Sequence, residues 1–421
     1  MRSSRAEEKP FNFCSAPYFR VDRDLSLLMI SRALRSFVAG YVSVVIGLYL
    51  LDKGFSLPEI GVVFAVGSFS NPLLSLAFGL AGDRAGTKRA LLVSLFTLVI
   101  GLTLTYLSAN FYLLLLASAL SGYGTVGGLI GGGIGASAAP LFSSLISRKV
   151  ERERLNWVMT VFTALSSYSG AAGALLSGLD YSTLFLIGIF LALASTLVVV
   201  PVKEPGGRGA TRENGLRGTG RGTASGVNER KYLALFSVTG ALNGVSQGLV
   251  VPFMPVVLKL HFGMNNGLIG SLYTAIGIAS ATVMLLLTPK LSESMGIGRF
   301  IFVSRTVSAV SALGIPFVDN EVLAIVLFVF FMTLRVLPLP AQQALMAAVI
   351  SERRRGTAFG LNQSSRLLPF SLASLLGGYL FGLGLLALPF VLALIATEGS
   401  ASLYYKYFAD LRLSRVSFQV D

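Results

Sequence analysis

Long apolar runs separated by short polar stretches dominate this chain. They fall at 25–50, 58–80, 89–108, 111–143, 156–178 and 181–202, and again at 231–257, 266–288, 299–318, 321–347, 357–382 and 384–407. Each is close to or above the ~20 residues a helix needs to cross a ~30 Å hydrocarbon core. None shows the two-residue alternation of a barrel strand, and only helices and closed barrels satisfy their backbone groups in lipid. The pattern predicts an all-α polytopic membrane protein with twelve transmembrane helices. The fourth run is longer than one crossing requires, so the pattern does not fix its ends. A polar stretch divides the spans six and six. The expected layout is a tail (1–24), a six-helix bundle (25–202), a flexible linker (203–230), a second six-helix bundle (231–407) and a second tail (408–421).

Charge supports the count and orients the spans. The chain is 53% hydrophobic and only 13% charged, about half the charge of a soluble protein. Of its 34 Lys and Arg, 27 fall in the tails and in alternate loops, whereas the intervening loops hold only Lys53 and Lys259. A miscounted helix would mix the two groups. Positively charged loops stay on the cytoplasmic side, so both termini are expected in the cytoplasm and the chain in the plasma (inner) membrane.

The formal net charge of +14 could suggest nucleic acid, and the linker carries eight Gly and five Arg. A flexible cytoplasmic linker meeting anionic lipid head groups accounts for that composition, so membrane lipids are expected partners and nucleic acid is not. One Cys (Cys14), one His (His261) and one Trp (Trp157) exclude an internal disulfide and offer no ligand set for zinc, haem or an iron–sulfur centre. No cofactor or metal is expected. The first apolar run is too long, and lacks the cleavage flank, for a removable signal peptide.

The two sets of spans repeat. After the first span, the stretch 54–61 (Gly-Phe-Ser-Leu-Pro-Glu-Ile-Gly) matches 263–270, which also begins with Gly and ends in Ile-Gly, at an offset of 209. After the second, Gly79-x-x-x-Asp83-Arg84-x-Gly86 faces Pro289-x-x-x-Glu293-Ser294-x-Gly296 at an offset of 210. Two matches at nearly one offset, in equivalent loops, indicate duplicated bundles in the same orientation.

The loop Gly79-Leu-Ala-Gly-Asp83-Arg84-Ala-Gly86-Thr-Lys88-Arg89 resembles the signature loop of the major facilitator superfamily of secondary transporters. Helix count, linker and repeat extend the resemblance over essentially the whole chain. It implies a monomeric transporter that moves a small solute by alternating access. It also implies that Asp83 and Arg84 form a latch which stabilises the outward-open state, while Lys88 and Arg89 mark the inner face. Gly170, Gly173 and Gly178 in the fifth span partly resemble the glycine-rich motif of the family's antiporters, but the Gly-Pro pair is missing. Close helix packing explains them as well, as it does the glycines of 122–135.

Five Arg fall inside spans: Arg32, Arg35, Arg305, Arg335 and Arg366. An Arg at mid-membrane costs ~2.5–3.5 kcal/mol on insertion scales, so it normally faces a wet cavity or a partner. Arg305 is near enough to its inner boundary to snorkel. The first, fourth, seventh and tenth spans line the cavity in this family, which makes Arg35 and Arg335 the expected solute clamps. Arg32 and Arg366 are further candidates, and bonds to backbone carbonyls are the competing role for Arg32, Arg35 and Arg366. Asn243 and Gln247, four apart and so on one helix face, could also donate, as could Gln342 and Gln343. Tyr41 could form an aromatic wall. Of 20 Asp and Glu, Glu398 alone lies well inside a span, where it could carry a proton.

Several guanidinium groups facing few carboxylates favour an anion. The expected function is ion- or proton-coupled transport of an organic or phosphorylated anion. Efflux of hydrophobic compounds, and a non-transporting sensor, are the alternatives. An enzyme is not expected, since the only His lies in a loop and the only Cys in a tail. No phosphate-binding Gly-x-x-x-x-Gly-Lys-Ser/Thr loop is present for direct use of ATP.

Overall fold

A computed structural model describes residues 22–124, 136–150, 152–204, 226–350 and 352–409. Cys14, most of the expected linker, the glycines at 127–135 and both expected tails almost entirely lie outside these described residues. Among the described residues the chain forms fifteen α-helices and no strand. A first set comprises α1 (Arg23–Asp52), α2 (Leu57–Ala85), α3 (Thr87–Leu107), α4 (Phe111–Ser121), α5 (Ala139–Ser147), α6 (Arg152–Ala174) and α7 (Tyr181–Val199). A second comprises α8 (Gly226–Val250), α9 (Met254–Phe262), α10 (Asn266–Met295), α11 (Ile297–Gly314), α12 (Glu321–Val336), α13 (Leu339–Val349), α14 (Glu352–Gly382) and α15 (Ala387–Phe408).

Ten helical stretches among the described residues are long and apolar enough to span a membrane. The other two apolar runs are α4 with α5, on either side of 125–135, and the 31-residue α14, whose first turn carries Arg353, Arg354 and Arg355. Leu76, Phe190 and Leu372 are 63%, 70% and 70% exposed, a distribution suited to lipid rather than water. The seventh run breaks between α8 and α9 at a short turn (Val251–Phe253). Pro252 and Pro255 stand at that break, where a missing N–H and a ring clash interrupt the ladder.

The repeat is visible in the backbone. Gly86 (φ 103°) and Gly296 (φ 85°) both end one helix and begin the next in a conformation that L side chains rarely adopt. Ser56 and Asn265, 209 positions apart, both cap helices. Ser56 shares a capping box with Glu59, and the Asn265 side chain accepts from the Leu268 N–H at 2.8 Å.

Three apolar cores define the packing. One combines both sets of helices, from Val38 to Ala393, and includes Phe64, Phe253, Phe328 and Phe390. The other two stay separate. Leu91, Phe142 and Phe162 belong to the first set's own core, and Phe236, Phe300 and Phe408 to the second's. These separate cores lie toward the end of the molecule that carries Arg84, Lys88 and Arg89, here called the basic end.

Across the sets, α2 packs on α14, α6 on α10, and α1 on α9 and α10. The seam is tight at the opposite end. Gly61 faces Gly378 so closely that a Cβ on Gly378 would stand 2.8 Å from the Gly61 Cα. Nearby, Lys259 Nζ sits 2.7 Å from both oxygens of Asp52, whose carboxylate also accepts from Tyr181 Oη at 2.5 Å. Asn266 donates to the same Tyr181 oxygen at 2.9 Å. The opposite end is sealed by one shared core, and toward the basic end the two cores part.

Candidate solute-binding site

Four helices of the second set surround a cavity of about 440 Å³, including the part that opens to solvent. Asn243, Ser246 and Gln247 reach it from one face of α8, Arg305 and Ser308 from α11, Arg335 from α12 and Thr397 from α15. Their spacings of three and four residues put each group on a single helical face.

Most of the polar groups are anchored. Gln247 Nε2 donates to Asn243 Oδ1 at 2.9 Å, and the Ser246 and Thr397 hydroxyls share a bond of 2.6 Å. Arg305, only 4% exposed, donates from Nη1 to Ser400 Oγ at 2.7 Å and lies 5.5 Å from the Tyr404 ring centroid. Ser400 in turn donates to the Thr239 carbonyl. Arg335 differs. Its guanidinium lies 5.8 Å from the Phe331 ring centroid, and its Nε and Nη1 are buried with no hydrogen-bond partner among the described residues. A buried unsatisfied donor costs ~1–3 kcal/mol, and more when charged. An incoming acceptor would remove that cost.

Arg335 also lies within electrostatic range of Arg305 and Arg366, and Arg366 donates to Gln363 at 3.0 Å. Two guanidinium groups, from α11 and α12, therefore share the cavity, Arg366 of α14 lies outside its lining, and among the described residues none that lines it is acidic.

Other expected site residues lie elsewhere. Arg35, 2% exposed, brings Nη1 to 3.5 Å from the Leu95 carbonyl oxygen inside the first set. Arg32 is also buried there, 5.5 Å from the Phe162 ring centroid. Tyr41 is fully buried and donates to the Leu184 carbonyl at 3.1 Å, bracing α1 on α7. Gln342 is partly buried and Gln343 exposed on α13. Glu398 accepts from Thr306 Oγ1 at 3.0 Å, and its Oε1 is buried with no hydrogen-bond partner; it does not line the cavity. Gly170 and Gly173 let α6 cross α1 backbone to backbone: a Cβ at Gly173 would stand 1.9 Å from the Phe37 carbonyl oxygen.

At the basic end Asp83, Arg84 and Arg89 are exposed and Lys88 is partly so. Gly79 has open space where a Cβ would stand. In the equivalent loop Pro289 and Glu293 are exposed too.

Two residues escaped the sequence reading. Arg305, expected to reach the membrane surface, is buried against the cavity; the Ser304, Ser308 and Ser311 pattern in an otherwise apolar span marks its polar face. Glu204, in the expected linker, accepts from the Thr87 N–H at 2.6 Å and caps the start of α3 beside Gly86. Its sequence neighbourhood gives no signal, because the contact spans 117 positions.

A family model described as Major Facilitator Superfamily matches residues 28–374 and 236–410. No curated protein matches the chain. Solved structures share its fold at low identity. The nucleoside transporter NupG is 14% identical, with a TM-score of 0.67 over 93% of this chain and 99% of that one. A bacterial homologue of the human lysosomal transporter Spinster, in an inward-facing and unoccupied conformation, is 14% identical, with a TM-score of 0.69 over 96% and 99%. A D-xylose–proton symporter is 12% identical, with a TM-score of 0.67 over 94% and 97%.

Proposed function

The chain belongs to the major facilitator superfamily, and from that premise we propose that it carries a small organic or phosphorylated anion across the plasma (inner) membrane by ion- or proton-coupled alternating access. That it is a multi-pass membrane transporter rather than an enzyme follows from the family itself. The anion is our inference. One observation carries it: among the described residues, Arg335 presents two buried, unpartnered nitrogens beside a cavity that it shares with Arg305 and that no acidic residue lines.

In this reading the anion binds Arg335 and is oriented by Arg305, Asn243 and Gln247. Arg32 and Arg35 hold the first set together. With positive loops on the cytoplasmic side, the basic end is cytoplasmic in this reading, and a seal at the opposite end corresponds to an inward-facing state. The exposed Asp83 and Arg84 then correspond to a released latch, which re-forms when the basic end closes. Glu398 is the candidate proton carrier.

The test is uptake into proteoliposomes of labelled organic anions against sugars, amino acids and cationic drugs, with and without an imposed pH gradient. Anion uptake that disappears in Arg335→Gln while the purified variant stays monodisperse would support the reading. Transport of neutral or cationic solutes that survives the substitution would overturn it.

A further inference from the structure

The cavity is graded along the membrane normal. Helix α8 runs from the basic end toward the opposite end and presents Asn243 and Gln247 first, then Val250 and Val251. Helix α11 runs the same way and presents Arg305 and Ser308, then Ala309 and Ala312. Helices α12 and α15 run in reverse, and the order reverses with them: Phe331 precedes Arg335, and Phe390 and Ala393 precede Thr397. All four helices therefore agree on a polar floor toward the basic end and an apolar roof toward the sealed end. The roof is continuous with the shared core, since Val250, Ala312, Phe331, Phe390 and Ala393 all belong to it.

Building on the anion reading above, we propose that the ligand is an amphipathic organic monoanion, such as a short aliphatic or aromatic carboxylate. Its charged group rests on Arg335 and Arg305, and its apolar part points toward Phe390. A carboxylate satisfies the open Arg335 donors. A second charge or a row of hydroxyls at the far end would be buried against side chains with no donor or acceptor to offer, which is costly. An apolar tail there gains by leaving water. The grading thus discriminates against dianions and phosphorylated polyols, which the guanidinium cluster alone would accept.

The experiment is displacement of labelled pentanoate from the purified full-length protein in detergent by acetate, propanoate, butanoate, benzoate, succinate and inorganic phosphate. Affinity should rise about three- to fourfold per added methylene from acetate to pentanoate, the increment expected for burying one such group. Succinate and phosphate should compete poorly, and Arg335→Gln should weaken binding of every carboxylate about 10- to 100-fold. Ala393→Asn, or Ala312→Ser if the first does not fold, should weaken pentanoate at least fivefold and acetate little.

If the monocarboxylates bind with no dependence on chain length, or succinate or phosphate competes better, and Arg335 is still required, the amphipathic class is wrong while the anion reading stands. If no anion binds the folded wild-type protein, both fall.

Discussion

Inside the first set of helices Arg35 leaves α1 and approaches the Leu95 carbonyl oxygen on α3 to within 3.5 Å. Inside the second, Arg305 stands 210 positions beyond Leu95 (305 − 95), the repeat's own offset, and its guanidinium leaves α11 for Ser400 on α15. The duplicated frame puts a guanidinium in the same interior region of both sets, supplied from different helices. Their surroundings diverge. Arg35 is among the largest fully buried side chains of the protein, whereas Arg305 borders a cavity whose other guanidinium, Arg335, lacks partners for two nitrogens. One copy of the frame encloses its guanidinium within its own packing, and the other leaves two guanidinium nitrogens beside a cavity, where the proposed function places the ligand.

Substituting one Arg from each interior breaks that comparison most directly. Arg335→Gln should cut anion uptake about 10- to 100-fold, the span of one hydrogen bond to a charged group, and leave thermal stability nearly unchanged. Uptake in proteoliposomes and the melting of the detergent-solubilised protein check the two halves of that statement.

Arg35→Gln should do the reverse. It should lower stability by about 1–3 kcal/mol, because it disturbs buried packing and removes the contact that ties α1 to α3, with uptake per folded molecule little altered. Size-exclusion profiles after a heating series measure the first effect. Equal uptake losses per folded molecule in the two variants would erase the distinction between the interiors.

The ends of the molecule sharpen the comparison with smaller effects. Glu204→Ala removes the carboxylate at the start of α3 and should destabilise the first set by about 0.5–2 kcal/mol, as other N-cap losses do. Hydrogen exchange at Thr87 and Lys88 should rise locally. Asp52→Asn weakens the exposed pair with Lys259 at the sealed end. Exposed pairs are worth about 0.2–1 kcal/mol, so the outward-open population should grow by no more than about fivefold. Labelling of a Cys introduced in place of Val256, which is buried across the seam from Gly47, would report it.

Much of the fold was legible in the sequence because lipid imposes a one-dimensional rule: apolar runs must be long enough to cross, and their flanking charges must sort by side. The spans, the repeat at Gly54/Gly263 and Gly86/Gly296, and the family all follow from local composition and spacing. The need for buried partners around intramembrane Arg was also visible, since the cost of charge in lipid holds whatever the packing. Which Arg meets which partner was decided only by tertiary structure. Arg35 and Arg335 both sit mid-span in the sequence, yet one is enclosed within its own set and the other is left with open donors. That difference depends on the rotation of each helix about its axis and on side chains hundreds of positions away, such as Ser400 for Arg305 or Glu204 for the α3 terminus. Interhelical packing sets both, and no local pattern along the chain encodes them.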